Sequence, residues 1–373
     1  MIGEQIAIVG GGLLGAAIAY GAIRSGLEVT LFDEHDTAHR ASRGNFGLAW
    51  IQGKGLNKPE YVQWTKNGLG LWPELREELL QLTGIDVALQ QPGGFWLGFS
   101  DDEVLEREKR LERINAQGVS VPYTIMDRSD LLQYLPELGP AVVGGSFCPL
   151  DGQANPLLLL KALHSALNIK GANIINGVRI EKVNHDKKTG KFRCFNSAGE
   201  YWESDRLALA AGLGNAKLAE DVDIYAPVRP KRGQILITEK LKPFLNYPTN
   251  KCRQTNEGSI QIGSTSDDVG LDDSTKTDQI ELLARRAVKT FPLLSGARLV
   301  RAWGALRPLT PDGYPIYQES SKYPGAFLVT SHSGVTLAAA HCYTVAPWIS
   351  GLTQTPVEFT AFRGDRFLQT PKE

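Results

Sequence analysis

Ile6-Ala7-Ile8-Val9-Gly10-Gly11-Gly12-Leu13-Leu14-Gly15-Ala16-Ala17-Ile18-Ala19-Tyr20 reads as strand, glycine turn and helix. The first four residues form an unbroken apolar run, as a strand buried on both faces should. Gly10, Gly12 and Gly15 stand at the G-x-G-x-x-G spacing, and small apolar residues open a helix behind them. Gly26 ends that helix. Glu28-Val29-Thr30-Leu31-Phe32 is a second strand, closed by Asp33. One glycine permits the tight turn, the next lets backbone N–H groups approach a pyrophosphate, and the third lets the helix sit close to the strand. A carboxylate about 20 residues on accepts hydrogen bonds from a ribose. A chain with 39 glycines can hold such a triplet as a plain structural turn. Here the strand, the helix and the acid agree, and together they predict an adenine-dinucleotide site.

At 373 residues the chain has room for two domains. Net charge is −1, which gives no electrostatic case for a nucleic-acid partner. No apolar run reaches membrane-spanning length. The N-terminus enters a strand without the regions of a signal peptide, so a cytoplasmic protein is expected. Cys148, Cys194, Cys252 and Cys342 lie far apart with no metal-ligand spacing. They read as unpaired thiols, and no metal site is expected.

After Asp33, residues 34–40 and Ala41-Ser42-Arg43-Gly44-Asn45-Phe46-Gly47 form a polar, glycine-bearing segment, suited either to wrap a cofactor or to be a surface turn. Residues 59–84 read as one helix, with Trp64, Leu71, Trp72, Leu75 and Leu79 as its core face. Residues 87–98 read as strands around Pro92-Gly93-Gly94. Residues 101–118 read as a charged helix with a solvated face, and 127–135 as a short helix stopped by Pro136. Residues 142–147 read as strand, and Asn155-Pro156 as the entry to a helix over 157–168. Strand-like pieces follow at 171–175 and 178–183, a hairpin at 192–202, and an apolar strand at 206–212. Residues 228–237 and 259–263 read as strands and 276–291 as an amphipathic helix. Residues 303–313 read as turn-rich, 327–330 as a late strand, and 335–349 as a helix of small residues. The pattern predicts an α/β protein with a Rossmann-like dinucleotide-binding domain and an inserted antiparallel-sheet domain. Residues 1–88, 145–225 and 301–373 are assigned to the first domain, and 89–144 and 226–300 to the second.

The ordered set of motifs resembles the flavin-dependent D-amino-acid oxidase and glycine/sarcosine oxidase superfamily. The set comprises the 10–15 turn with Asp33, the 41–47 loop, Asp151-Gly152 with Asn155-Pro156, and Ala210-Ala211-Gly212. It continues with Pro230-Lys231-Arg232-Gly233-Gln234, Ile262-Gly263-Ser264-Thr265, Leu306-Arg307-Pro308 with Pro311-Asp312-Gly313, and His332-Ser333-Gly334-Val335-Thr336-Leu337. Residues 233–239 and 262–265 are similar in texture to one sub-branch. It holds the FAD-bearing catalytic subunits of heteromeric bacterial dehydrogenases: hydrogen cyanide synthase, opine oxidases and (hydroxy)proline dehydrogenases. The resemblance implies FAD, a small amino-acid or amine substrate, and a possible second subunit.

By the same resemblance, Gly10, Gly12 and Gly15 hold the pyrophosphate and Asp33 the adenosine ribose. Ser42, Arg43, Asn45 and Gly47 line the flavin side. The backbone of Ile180 meets the adenine, and Ala211 and Gly212 pack near the pyrophosphate. Gly334, Val335 and Thr336 present a helix N-terminus to the flavin, where charge develops on reduction. Leu13, Leu14, Glu34, Leu48 and Leu337, from the same motifs, complete the cofactor set. Arg307 aligns with the arginine that grips the substrate carboxylate, a task suited to a planar, permanently charged fork.

Lys251 stands where many relatives have a tyrosine, with Arg253 close by. Either the pocket takes a substrate with a second carboxylate, or both are solvated side chains on a strand. His332, beside the flavin-binding turn, is carried with Arg307 and Lys251 in the catalytic set, a structural role being the alternative. No cysteine or histidine stands at the usual flavin-linking positions, so noncovalent FAD is expected. The implied chemistry is oxidation of a C–N bond next to a carboxylate by hydride transfer to the flavin, giving an imine that hydrolyses. Two other readings remain: a noncatalytic FAD-bound subunit, and a different enzyme on the same fold, such as an NAD-linked reductase or a tRNA-modifying flavoprotein.

Overall fold

The structure, a computed structural model, describes residues 3–34 and 41–368. Residues 35–40 of the polar segment after Asp33 lie outside the described residues. β1 (Gln5–Val9) sits inside a six-stranded sheet. The order is Ile316–Glu319, Ala326–Thr330, Arg206–Leu209, β1, β2 (Glu28–Asp33), Asn173–Asn176. Its neighbours run parallel except the first pair, which is antiparallel. Alternate residues of β1 serve separate cores. Ile6 and Ile8 pack with α1 (Leu13–Arg24), while Ala7 and Val9 join Phe32, Leu207 and Leu209 on the other face. Both faces are covered, which is why the strand is apolar without alternation.

A second, antiparallel sheet orders Cys252–Gln254, Ser259–Gly263, Arg229–Lys240 and Leu299–Leu309. The helix Thr277–Thr290 lies on it and buries Leu283 and Ala287 with Leu236 and Ile262. Residues 303–309 are therefore strand, correcting the turn-rich reading; the turn itself begins at Thr310, whose carbonyl accepts from the Gly313 N–H. Pro308 misleads because proline seldom lies in a sheet. Here it stands on an edge strand, opposite Pro230. The strand Leu299–Leu309 spans the sequence-drawn boundary at 301. Gly144–Cys148 spans the one at 145 by pairing with Gly94–Gly98 and Thr124–Asp127.

Other differences have local causes. The single helix expected over 59–84 is two, Pro59–Gly70 and Trp72–Thr83, jointed at Leu71 with Pro73 in the first turn of the second. Gly84, at φ +70°, ends the second in the left-handed conformation. Of residues 87–98 only Gly94–Gly98 is a strand. The last helix turns from Ser333, whose carbonyl accepts from the Leu337 N–H, but is regular only from Ala338. It passes through a π turn at His341–Val345 before Pro347, which cannot donate within an α-helical ladder. All four cysteines are buried and free.

Below this helix, Tyr317 ties three elements together. Its hydroxyl accepts from Trp64 Nε1 at 3.1 Å and lies 2.9 Å from His341 Nε2. Phe359 stacks on its ring at 4.4 Å. Burial pushes the His341 pKa down to about 3, so the ring is neutral. Tyr317→Phe leaves two buried polar partners unsatisfied. A loss of about 1–3 kcal/mol in urea unfolding is expected, with little change in flavin content.

Candidate active site

A cavity of about 1100 Å3 lies between the parallel and antiparallel sheets and takes its lining from both. Gly10, Gly12, Leu13, Leu14, Asp33, Glu34, Ser42, Arg43, Asn45, Ile180, Ala211, Gly212, Arg307, His332 and Gly334 all line it. Gly15, Gly47, Leu48, Lys251, Val335, Thr336 and Leu337 do not, and their geometry gives them other work. A Cβ on Gly15 would stand 1.8 Å from the Gly10 carbonyl oxygen, so Gly15 sets the distance between α1 and β1. Val335 and Leu337 are core residues. Thr336 Oγ1 donates to the Leu48 carbonyl at 3.2 Å and accepts from the Trp50 N–H at 3.3 Å, tying the last helix to the short strand Leu48–Ala49. The Gly47 N–H donates to Asn45 Oδ1 at 2.8 Å.

The glycine turn has polar residues on it already. Asp33 Oδ2 accepts from the Gly11 N–H at 2.7 Å, and Ser42 Oγ accepts from the Leu13 N–H at 2.9 Å. His164 Nε2 lies 2.8 Å from the Gly11 carbonyl, a contact with no signal in the sequence. Gly10, at φ +112°, has its absent Cβ 2.4 Å from the Ala210 carbonyl oxygen. Backbone donors, the α1 N-terminus and a carboxylate at the end of β2 thus border one long cavity. These residues fit a dinucleotide, whose phosphates need close backbone approach and a positive helix end.

Across the cavity, Arg307 lies in the strand Leu299–Leu309, paired in register with Lys231. Its guanidinium crosses over Gly233, where a Cβ would stand 2.0 Å from Nη2. Nη2 donates to Ser264 Oγ and to the Thr265 carbonyl at 3.1 Å. Burial lowers its pKa, opposed by Asp267. Lys251 Nζ donates to the Ser264 carbonyl at 3.1 Å, so it backs the residue that holds Arg307. Its pKa is lowered by burial and by Arg286 and Arg307. Arg253 is 4% exposed and donates to the Phe46 carbonyl, from beneath the 41–47 loop. The picture of two solvated strand side chains is thereby corrected: the sheet packs against that loop. His332 borders the cavity with its pKa pushed down to about 3, first by burial and then by Lys54 and Arg307, which leaves it neutral.

The loop after Leu48–Ala49 carries no functional signal in its sequence. Asp151, fully buried, accepts from the Ile51 N–H at 2.5 Å and the Gln52 N–H at 3.4 Å. Gln52 Oε1 accepts from Arg107 Nη2 at 2.8 Å and from Ser146 Oγ at 2.7 Å. Arg107 is the exception to the solvated face of its charged helix, at 5% exposed. Burial pushes Asp151 up to about 7 against those hydrogen bonds. The folded protein then holds this proton between roughly pH 4 and pH 7 while the unfolded chain does not. Stability from this group is lost as pH rises through that window. Urea titrations of wild type and Asp151→Asn are expected to show wild type losing ground relative to the variant from pH 4 to pH 7.

A family model described as DAO, FAD dependent oxidoreductase, matches residues 5–348. The chain belongs to this family. As an FAD-dependent oxidoreductase it uses FAD as its cofactor. It is 40% identical over 348 residues to an opine oxidase subunit of Rhizobium meliloti, covering 93% of each chain. It is 40% identical over 365 residues to the opine oxidase subunit of the same designation in Agrobacterium tumefaciens (strain Ach5), covering 97% of each. The crystal structure of glycine oxidase from Geobacillus kaustophilus superposes with a TM-score of 0.87 at 25% identity, over 95% of this chain and 98% of that one. Among the described residues, no helix is long and apolar enough to cross a membrane.

For this flavoenzyme, the seat of Arg307 makes Gly233 a positioning residue. Gly233→Ala is expected to keep its flavin, read from absorbance, while affinity for a carboxylate inhibitor falls about tenfold or more as the guanidinium is lifted from Ser264.

Proposed function

We propose that this flavoenzyme oxidises the C–N bond of an amino acid or secondary amine next to a carboxylate, with Arg307 holding that carboxylate. The observation that carries the reading is Arg307 in the cavity wall. It is seated over Gly233 and fastened to Ser264 and Thr265, opposite the glycine turn that suits the pyrophosphate. A guanidinium so held presents a preorganised cation to an anionic group, at small entropic cost. Names of relatives support the substrate class: the two at 40% identity are opine oxidase subunits. When bound, FAD supplies the two-electron acceptor for a hydride from the carbon beside the amine, leaving an imine that hydrolyses.

The chain's own residues bind and orient. Residues 10–14, Asp33 and Ser42 hold the dinucleotide, and residues 41–46 and Gly334 frame its flavin part. His332, neutral in the cavity wall, adds no charge to the pocket. Lys251 keeps Ser264 in place from behind. The two-domain division belongs to the same proposal, with residues up to 309 counted in the substrate domain because their strand joins the antiparallel sheet. A heteromeric assembly is proposed as well, because both relatives are named as one subunit of an opine oxidase. A noncatalytic role is disfavoured, since it gives no reason for the seat built under Arg307.

The test is anaerobic bleaching of the flavin band by a panel of glycine, sarcosine, D- and L-proline, D-amino acids and opines. At least one is expected to bleach it. Arg307→Ala is expected to lower kcat/KM for that compound by on the order of a hundredfold, with partial recovery in Arg307→Lys. An alanine variant as active as wild type would sink the reading.

A further inference from the structure

Lys54 is an unusual lysine for a loop. It lies between Gly53 and Gly55 in a segment fastened along its length by other elements. Asp151 takes the Ile51 N–H. Gln52 Nε2 donates to the Gly94 carbonyl at 3.0 Å. Arg110 Nη2 donates to the Gly53 carbonyl at 3.0 Å, Gln117 Nε2 to the Gly55 carbonyl at 3.2 Å, and the Tyr314 hydroxyl to the Leu56 carbonyl at 2.6 Å. A surface lysine needs none of this. The ammonium is held at Ser333 Oγ and lies 3.4 Å from the Tyr61 hydroxyl; Tyr61 and Ser333 are 2.8 Å apart. Ser333 sits between His332 and Gly334, both of which line the cavity, so the ammonium is bonded to the residue that joins two wall positions. An ammonium has three donors, and neither of its two partners is a carboxylate.

The charge balance points the same way. After burial, Lys54 and Arg307 both help to lower the pKa of His332. Arg307 also acts on Lys251. Among the described residues, the hydrogen-bond partners of these three cations are hydroxyls and backbone carbonyls. The acid that reaches Arg307 is Asp267, which is itself shared with Arg232, Gln234 and Thr265. A pocket with one carboxylate to bind needs one cation; a second preorganised cation with no carboxylate partner among the described residues calls for a second anionic group on the ligand.

We propose that Lys54, with Ser333 and Tyr61, binds a second carboxylate of the substrate, so that the preferred substrates are secondary amines flanked by two carboxylates. This rests on the reading of Arg307 as the anchor of the first. It assigns the second anionic subsite to the pinned loop after Leu48–Ala49 and not to Lys251, whose ammonium is spent on the Ser264 carbonyl.

The test uses a matched pair, iminodiacetate and sarcosine, which differ by one carboxylate. Dissociation constants are read from the flavin spectrum of the FAD-loaded enzyme. Wild type is expected to prefer iminodiacetate. In Lys54→Met that preference is expected to shrink by about ten- to hundredfold, the worth of one charge-assisted hydrogen bond, and to return in part in Lys54→Arg. Thermal melting and flavin content of each variant separate this from loss of fold. A wild type without preference for iminodiacetate, or a Lys54→Met variant that weakens both ligands equally, would overturn the proposal. Failure of the underlying reading looks different: no bleaching by octopine, iminodiacetate or any other member of the amine panel.

Discussion

The close approach of α1 to β1 at Gly15 and the Gly10 carbonyl is the constraint on which the rest of the structure depends. With 1.8 Å between that oxygen and a hypothetical Cβ, no other residue can sit at position 15 without shifting the helix. The contact brings the helix N-terminus to the edge of the parallel sheet, with residues 10–14 in the cavity wall. It also fixes where Asp33 and Ser42 can meet the turn.

The substrate side follows a similar logic on a different element. Arg307 needs a seat, and Gly233 on the neighbouring strand supplies it by having no side chain. Ser264 and Thr265 then take one of its nitrogens, and Lys251 steadies Ser264 from behind. Elsewhere, a loop held by Asp151, Arg110, Gln117 and Tyr314 carries Lys54 to Ser333, the neighbour of His332 and Gly334. Among the described residues both cations are hydrogen-bonded to neutral partners, as the proposed carboxylate subsites require. Buried charge without a counter-ion is costly, and the lowered pKa values of Arg307 and Lys251 reflect that cost.

Much of this architecture is legible along the chain. The apolar run at 6–9, the glycine spacing, the acid at 33 and the alternation of strands with helices place the dinucleotide domain, because each is a local rule with a short range. The ordered motifs mark the family, and Arg307 with it. Two departures share one cause. Pro308 suggests a turn, and the periodicity of 59–84 suggests one helix. Local propensity is overruled by pairing with Arg229–Lys240 in the first case and by a joint at Leu71 in the second.

The sequence by itself determined the parallel sheet, the phosphate-binding turn and the class of cofactor, since these depend on residues close together in the chain. Tertiary structure alone decided which charged residues are buried and what they bond to. Arg253 and Arg107 look like surface residues in the sequence, yet both are buried, one under the 41–47 loop and the other against Gln52 and Ser146. Lys54 looks like an ordinary loop lysine, and its neighbour Ser333 is 279 positions away. Whether a charge is solvated or aimed depends on what packs over it, and that comes from segments far apart in the chain.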